Sequence, residues 1–306
     1  MGLIALWARF DGNLCVVMDS LGRKCGVRIV SDVLHRILES AECDPDHVAI
    51  KDSESTLSYE QLINLTARVA TSLMTRGVVS GDRVVLLLEN SIDYVISALA
   101  SLWIGAIFVP LDITDPPQRL ASLMRDCRPT LVITNGVVDE AAIVDECDVS
   151  KFVKASQLQN EHAELVNPLG VGERPSYIIY TSGTTGTPKG VVIGSSAFEA
   201  AVMSSCKALN LNSSTKTLSV SPFHFDGSFA TLFPTLASGG TLIIRSQESL
   251  VFPRVFFRTI ISERVTYTDF TPSYLHNLES SHQFNDLAIS DVEIISLGGE
   301  ARRQID

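Results

Sequence analysis

The chain has 306 residues, of which 45% are hydrophobic and 19% charged, and its formal net charge is −11. This length and composition are typical of a globular protein with two or more subdomains and exclude a disordered chain. The acidic balance argues against a nucleic-acid-binding surface, and no apolar run approaches the length needed to span a membrane.

The six cysteines form no C-x-x-C pair and show no metal-ligand spacing. We interpret them as small buried side chains in a reducing compartment, and we predict no metal-ligating residues in this chain. The apolar start at residues 2–8 lacks a basic leader and soon meets Arg9 and Asp11, so it is not typical of a signal peptide. We therefore expect a cytoplasmic protein.

Residues 1–28 match no pattern in the rest of the chain. A tail, the end of an upstream domain and an artefact of gene prediction all remain open for them. Behind Ser31 or Asp32 apolar residues recur at helical spacing. A second helix is predicted behind Ser58, which forms with Gln61 the S-x-x-Q pattern of a capping box.

From there to the end, apolar strands alternate with helical patterns. Strands are predicted at 83–88, 107–111, 130–134, 217–220, 241–244, 265–268 and 292–296, and helices at 92–103, 197–209, 228–236, 250–261 and 272–278, with another opened by Pro116-Pro117. This alternation predicts an α/β fold with right-handed crossovers and largely parallel sheets. The polar stretch 161–174 predicts a connection between two stacked α/β subdomains, residues 29–170 and 171–306.

The most informative segment is a loop of hydroxyls and glycines that follows the apolar run at 177–180. Gly183 and Gly186 allow several backbone N–H groups to point at one anion, the five hydroxyl side chains add neutral donors, and Lys189 adds a positive charge. This is the chemistry of a phosphate cradle, although the spacing differs from that of a Walker loop. The alternative is a threonine-rich linker. The predicted phosphate-binding residues are Thr181, Ser182, Gly183, Thr184, Thr185, Gly186, Thr187 and Lys189.

This loop resembles the signature of adenylate-forming enzymes, the superfamily of acyl-CoA synthetases, luciferases and nonribosomal peptide synthetase adenylation domains. The segments L-S-Y-E-Q-L at 57–62 and G-A-I-F-V-P-L-D at 105–112 resemble two further landmarks of the superfamily, in the same order. The resemblance runs from about residue 29 to residue 306. It implies the fold of the large N-terminal domain of these enzymes, and ATP with Mg²⁺ as cofactors.

The segment Phe225-Asp226-Gly227-Ser228 resembles the F-D-x-S motif of amino-acid-activating adenylation domains, in which the aspartate pairs with the substrate α-ammonium. The chemistry agrees, because a buried ammonium is costly unless it is paired, and a carboxylate at a helix N-terminus is easily kept ionised. A simple N-cap is the alternative reading of Asp226. Acyl-CoA synthetases do not need this aspartate, but His224 keeps a fragment of an acyl-CoA or aryl-acid ligase as the second hypothesis.

The same resemblance implies a set of pocket positions with small walls and a second acid. Because a second buried carboxylate without a partner would tend to be protonated, Asp269 predicts a long cationic amino-acid side chain. The predicted substrate-binding residues are Asp226, Gly227, Ala230, Asp269, Ser296 and Gly298. The resemblance places Gly299, Glu300 and Ala301 on the adenine side, and a plain strand-end turn is the alternative there.

The resemblance also implies elements that lie beyond residue 306 in such enzymes. These are a Y-G-x-T-E loop with the magnesium-associated acid, a ribose-binding aspartate, a hinge and a small C-terminal domain with the catalytic lysine. Lys189 is not expected to replace that lysine, so we expect little turnover by this chain alone and leave open whether it is an enzyme. In a full synthetase, the aminoacyl group would pass to the phosphopantetheine thiol of a peptidyl carrier protein. A non-catalytic nucleotide-binding remnant is the third hypothesis.

Overall fold

The computed structural model describes residues 7–10, 14–18, 24–28, 32–144, 151–159, 166–168, 173–181, 188–246, 251–281 and 290–298. The fold is α/β, as predicted, with two mixed six-stranded sheets. Within the stretch that matched no sequence pattern, residues 7–28 contain a separate three-stranded antiparallel sheet. Its strands are β1 (Trp7–Phe10), β2 (Leu14–Met18) and β3 (Lys24–Arg28).

The first six-stranded sheet has the strand order β11-β10-β7-β6-β8-β9. Its strands are β6 (Arg83–Leu87), β7 (Ile107–Pro110), β8 (Leu131–Thr134), β9 (Phe152–Lys154), β10 (Pro175–Thr181) and β11 (Lys189–Gly194). Every pairing is parallel except the β10–β11 hairpin at one edge. The parallel strands β6, β7 and β8 are almost entirely buried, because helices cover both faces.

The second six-stranded sheet has the order β15-β14-β12-β13-β4-β5. Its strands are β4 (Val48–Lys51), β5 (Thr56–Ser58), β12 (Lys216–Ser219), β13 (Thr241–Ile244), β14 (Tyr267–Phe270) and β15 (Ile294–Leu297). Again every pairing is parallel except an edge hairpin, here β4–β5. Both sheets therefore follow one plan.

The sheets do not separate at residue 170, where the sequence predicts a subdomain boundary. The hairpin β4–β5 precedes that boundary and pairs with β13 of the second sheet. The hairpin β10–β11 follows the boundary and pairs with β7 of the first sheet. The reason is that an unpaired sheet edge accepts any strand with free N–H and C=O groups, whatever its position in the chain.

The helices form one layer between the sheets and one layer outside each sheet. The inner layer contains α1 (Asp32–Cys43), α2 (Tyr59–Thr75), α3 (Ile92–Trp103), α6 (Ala155–Gln159), α7 (Ser195–Ala208) and α8 (Phe229–Ala237). The outer layers contain α4 (Pro117–Cys127) and α5 (Glu140–Val144) against the first sheet, and α9 (Pro253–Glu263) and α10 (Pro272–Glu279) against the second. No helix in the described ranges is long and apolar enough to cross a bilayer.

Two details of the inner layer connect sequence to packing. The predicted capping box of α2 is confirmed, because Ser58 Oγ accepts from the Gln61 N–H at 3.3 Å and Gln61 Oε1 accepts from the Ser58 N–H at 2.9 Å. The buried Tyr59 hydroxyl donates to the carbonyl oxygens of Leu236 (3.0 Å) and Gly240 (2.8 Å). The start of α2 is thereby fixed to the end of α8.

Candidate functional site

A cavity of about 650 Å³ opens where three neighbouring strands of the second sheet, β12, β14 and β15, reach their carboxyl ends. Parallel strands place the residues that follow them along the same edge, which is where ligands bind in open α/β sheets. The residues predicted from sequence to bind the substrate all line this cavity. They are Asp226, Gly227, Ala230, Asp269, Ser296 and Gly298.

The segment that carries Asp226 is held from the first sheet. Asn90, just beyond β6, donates through Nδ2 to the Ser221 carbonyl oxygen at 2.9 Å and accepts from the Phe223 N–H at 2.8 Å. The buried Tyr94 hydroxyl donates to the Phe223 carbonyl oxygen at 2.9 Å. The backbone ahead of Asp226 is therefore fixed by side chains of the other half of the molecule.

Asp226 begins a single 3₁₀ turn, Asp226–Ser228, that leads into α8. The turn is closed by Ser228 Oγ, which donates to the Phe225 carbonyl oxygen at 2.7 Å. Asp226 is exposed, and among the described residues no N–H group donates a capping hydrogen bond to its carboxylate. The N-cap reading of Asp226 is thus wrong for this structure, and the carboxylate is available to a ligand at the positive end of the helix.

The charge of Asp226 also acts on Tyr177 of β10. Burial raises the pKa of Tyr177 to about 12, and the nearby Asp226 carboxylate adds to the shift. The Tyr177 ring meets the Phe229 ring edge-on, with 4.9 Å between the ring centroids. This contact places the start of α8 against the strand that leads into the predicted phosphate loop.

Asp269 lies on β14 and is 8% exposed. Ser221 Oγ donates to its Oδ2 at 2.5 Å, and the Val220 N–H donates to its Oδ1 at 3.3 Å. Burial raises the pKa of Asp269, while these hydrogen bonds and the charge of Arg245 oppose the shift. The premise that this carboxylate lacks a partner within the protein is therefore wrong.

The cavity walls at Gly227 and Gly298 are open. Among the described residues, no heavy atom lies within 4 Å of a Cβ atom added at either glycine. Gly240 differs, since an added Cβ would lie 2.7 Å from the Thr215 carbonyl oxygen. Close packing therefore explains Gly240 but neither of the two cavity glycines, whose missing side chains simply leave space.

The predicted phosphate loop connects the two strands of the β10–β11 hairpin. Thr181 and Lys189 are partners in its last pair, so the hairpin register brings the two ends of the loop together. Lys189 is exposed, and no carboxylate in the described part of the chain forms an ion pair with it. The Tyr180 hydroxyl donates to Asp126 Oδ2 at 2.6 Å and anchors the hairpin to α4. Ser182, Gly183, Thr184, Thr185, Gly186, Thr187, Gly299, Glu300 and Ala301 lie outside the described residues.

His224 precedes the turn Asp226–Ser228 and contacts the loop that follows β7 of the first sheet. Its Nε2 lies 3.4 Å from Asp112 Oδ2, and its ring centroid lies 4.4 Å from that of Phe225. Burial lowers the pKa of His224, and the carboxylates of Asp112 and Asp115 partly offset the shift.

Sequence reasoning missed the residues that support the site. These are Asn90, Tyr94, Ser221 and Arg245. Three of them lie just beyond the carboxyl end of a parallel strand, where a polar residue faces the ligand edge of the sheet. A polar residue directly after a predicted parallel strand was therefore the available signal in the sequence. Using this signal requires the order of the strands in the sheet to be known.

The fold and the site together define a protein of the adenylate-forming class. The sequence pattern of the family described as AMP-binding enzyme matches residues 37–304, and the chain belongs to this family.

Curated relatives of the chain include nonribosomal peptide synthetases. The hybrid PKS-NRPS synthetase apdA of Emericella nidulans is 34% identical over 233 residues, which is 75% of this chain and 6% of that protein. Gramicidin S synthase 2 of Brevibacillus brevis is 28% identical over 271 residues, which is 88% of this chain and 6% of that protein. The chain thus spans a small part of the length of these relatives.

Solved structures show the same fold. The nonribosomal peptide synthetase FmoA3 in its AMPPNP-bound form is 25% identical with a TM-score of 0.78, over 90% of this chain and 29% of that one. The o-succinylbenzoate CoA synthetase of Bacillus subtilis, in complex with its acyl-adenylate intermediate, is 20% identical with a TM-score of 0.77, over 87% of this chain and 68% of that one.

Proposed function

We propose that this chain forms the substrate- and nucleotide-binding part of an adenylation domain of nonribosomal peptide synthesis. In the complete domain, an amino acid and ATP would give an aminoacyl adenylate and pyrophosphate. The aminoacyl group would then pass to the phosphopantetheine thiol of a peptidyl carrier protein. The relatives among nonribosomal peptide synthetases support this proposal.

The main support for the proposal comes from the position and the hydrogen bonding of the Asp226 carboxylate. Its carboxylate lines the cavity, makes no capping hydrogen bond among the described residues, and lies at the N-terminal end of α8. A carboxylate in this setting suits a cation from the ligand, and the α-ammonium of an amino acid has the required charge. A ligand without an amine would leave this carboxylate unpaired in a filled cavity, at a cost in free energy.

The residues at the end of the β10–β11 hairpin fit a polyphosphate. Thr181 offers a hydroxyl donor and Lys189 an exposed ammonium, and their pairing places both at the mouth of the glycine-containing loop. ATP, when bound, supplies the adenylyl group that activates the carboxylate. Lys189 would bind the phosphates and offset their charge, while the cavity orients the amino acid.

Mg²⁺ would accompany the phosphates of the bound nucleotide. Within the described ranges, no group of three or more histidine, cysteine or acidic side chains could hold a metal ion.

The second candidate function is that of an acyl-CoA or aryl-acid ligase. It is favoured by His224 beside the cavity and by the fold shared with the o-succinylbenzoate CoA synthetase. The two candidates differ in whether the ligand carries an α-amine, and this difference can be measured directly.

The test uses isothermal titration calorimetry of the chain with sulfamoyl adenosine analogues, which mimic the adenylate without reacting. One series carries aminoacyl groups, and the matched series carries the same groups without the α-amine. The aminoacyl series should bind more tightly, and Asp226→Asn should weaken it by about 100-fold, the size expected for removing one partner of a charge pair that the bound ligand shields from water.

Asp46→Asn is the matched control, because Asp46 is an exposed acid outside the cavity. It should leave both series unchanged. Equal or tighter binding of the amine-free series would reject the amino-acid proposal in favour of the ligase.

A further inference from the structure

The charges around the cavity restrict which amino-acid side chain it can accept. Asp226 and Asp269 are the acidic residues among those that line it. Under the proposed function, Asp226 is neutralised by the substrate α-ammonium. The charge class of the substrate side chain then depends on how Asp269 is balanced.

A positive charge inside the protein, on a residue that does not line the cavity, acts on Asp269. Arg245 follows the last residue of β13 and is 7% exposed. Its Nε donates to the Val220 carbonyl oxygen at 2.5 Å, and the N–H of the same Val220 donates to Asp269 Oδ1 at 3.3 Å. The guanidinium and the carboxylate are therefore both hydrogen-bonded to the backbone of Val220.

The electrostatics agree with this link. Burial raises the pKa of Asp269, and the Arg245 charge opposes this shift together with the larger effect of the hydrogen bonds from Ser221 and Val220. Burial lowers the pKa of Arg245, and Tyr274 and then Asp269 oppose that shift. Arg245 Nη1 is buried and has no hydrogen-bond partner among the described residues. A guanidinium cannot lose its charge by deprotonation, so its burial here requires a counter-charge.

We propose that Arg245 determines side-chain specificity by balancing Asp269 from behind the cavity wall, so that the cavity accepts an amino acid with a large, uncharged side chain. This inference rests on the proposed function. It replaces the cationic side chain that the sequence predicts, because that prediction required Asp269 to lack a partner. The size follows from Gly227 and Gly298, where an added Cβ atom would meet no heavy atom of the described residues within 4 Å.

Substrate side chains that carry a charge are disfavoured in this cavity. A lysine-like side chain would bring a second ammonium into a cavity whose carboxylates already have partners, and it would lose its hydration without compensation. A glutamate-like side chain would meet Asp269 as a like charge. An uncharged side chain carries neither cost.

The test compares analogues of matched shape on the chain by calorimetry: norleucyl against lysyl sulfamoyl adenosine, and glutaminyl against glutamyl sulfamoyl adenosine. The norleucyl analogue should bind the wild-type chain at least about tenfold more tightly than the lysyl analogue, the effect of one unbalanced charge. Arg245→Met should shift this ratio about tenfold towards the lysyl analogue. Arg245→Lys keeps the charge and should keep the preference.

Tighter binding of the lysyl analogue to the wild-type chain would overturn the inference and leave the proposed function intact. A folded Arg245→Met variant with an unchanged ratio would also overturn it. If that variant does not fold, Asp269→Asn tests the same pair of charges by removing the negative one. It leaves Arg245 unbalanced and should favour the glutamyl over the glutaminyl analogue, and an unchanged ratio there rejects the role of Arg245. Failure of all aminoacyl analogues, with binding of amine-free ones, would instead reject the proposed function.

Discussion

The two six-stranded sheets share one plan and use it differently. Each has four parallel pairings and one antiparallel edge hairpin. The cavity opens at the carboxyl ends of the second sheet, and its lining includes Ser221, Asp269 and Ser296. The corresponding ends of the first sheet contribute Asn90 and Asp112, which contact the segment that carries Asp226.

The difference shows how one layer architecture can separate two tasks. The first sheet holds the cavity-forming segment in place, and the second sheet presents the groups that would meet the substrate. Substitutions at the holding residues should therefore change stability. Substitutions at the open cavity residues should change binding and leave stability nearly unchanged.

The largest effect on the holding side is expected for Asn90→Ala. The substitution leaves the Phe223 N–H and the Ser221 carbonyl oxygen without their partners, so the free energy of unfolding should fall by about 3 kcal/mol. Urea denaturation followed by circular dichroism measures this. Asn135→Ala, at an exposed position after β8, is the control. A loss no larger than that of the control would contradict the holding role.

The clearest effect on the binding side is expected for Gly227→Leu. The new side chain enters open space, so the free energy of unfolding should change by no more than about 0.5 kcal/mol. Binding of an analogue with a large side chain should weaken at least tenfold, or by about 1.4 kcal/mol. Gly240→Ala is the opposite case, because its Cβ would clash with the Thr215 carbonyl oxygen and destabilise the fold. Unchanged binding by a folded Gly227→Leu variant would show that the bound side chain does not reach Gly227.

A smaller effect is expected for Tyr94→Phe. The substitution keeps the ring and removes the hydrogen bond to the Phe223 carbonyl oxygen, which should lower the free energy of unfolding by about 1 kcal/mol. The same denaturation experiment measures it. The loss of unfolding free energy in the double variant with Asn90→Ala should differ from the sum of the two single losses, since both residues hold Phe223. Strict additivity would mean that they act independently.

The smallest effect is a pH dependence at His224. Its pKa is lower in the folded protein than the ordinary value of 6.5, so the unfolded chain takes up a proton more readily. The contribution of His224 to the free energy of unfolding is complete above pH 6.5. It is lost as the pH falls from 6.5 through the lower pKa that His224 has in the folded protein. As the pH is lowered from 7.5, the unfolding temperature should therefore fall less steeply for His224→Gln than for the wild-type chain. Parallel curves for the two proteins would show that His224 does not contribute.

Much of the fold follows from local sequence patterns. The capping box at Ser58, the strand at Thr241–Ile244 and the alternation of strands and helices were predicted because hydrophobic periodicity and cap residues act within a few positions. The strands β4, β5 and β9 were missed because they are short and partly polar. The exchange of hairpins between the sheets was also missed, since no local pattern records which edge a strand will join.

The candidate site divides in the same way. Motifs gave the positions that line the cavity, from Asp226 to Gly298, because each motif lies within a short segment. The balance of Asp269 by Arg245 was not predicted, because it depends on Val220 lying between two strands that are distant in sequence. The charge class of the proposed substrate therefore changed once these contacts were known.

The proposed function requires the α-ammonium of an amino acid to bind Asp226 in this cavity while the phosphate side of the ligand meets the β10–β11 hairpin. The most direct measurement is a crystal structure of the chain with an aminoacyl sulfamoyl adenosine. We expect the ammonium nitrogen at about 2.7–3.2 Å from a carboxylate oxygen of Asp226, with the sulfamoyl group towards Lys189. An analogue bound with its amine directed away from Asp226, or bound outside this cavity, would contradict it.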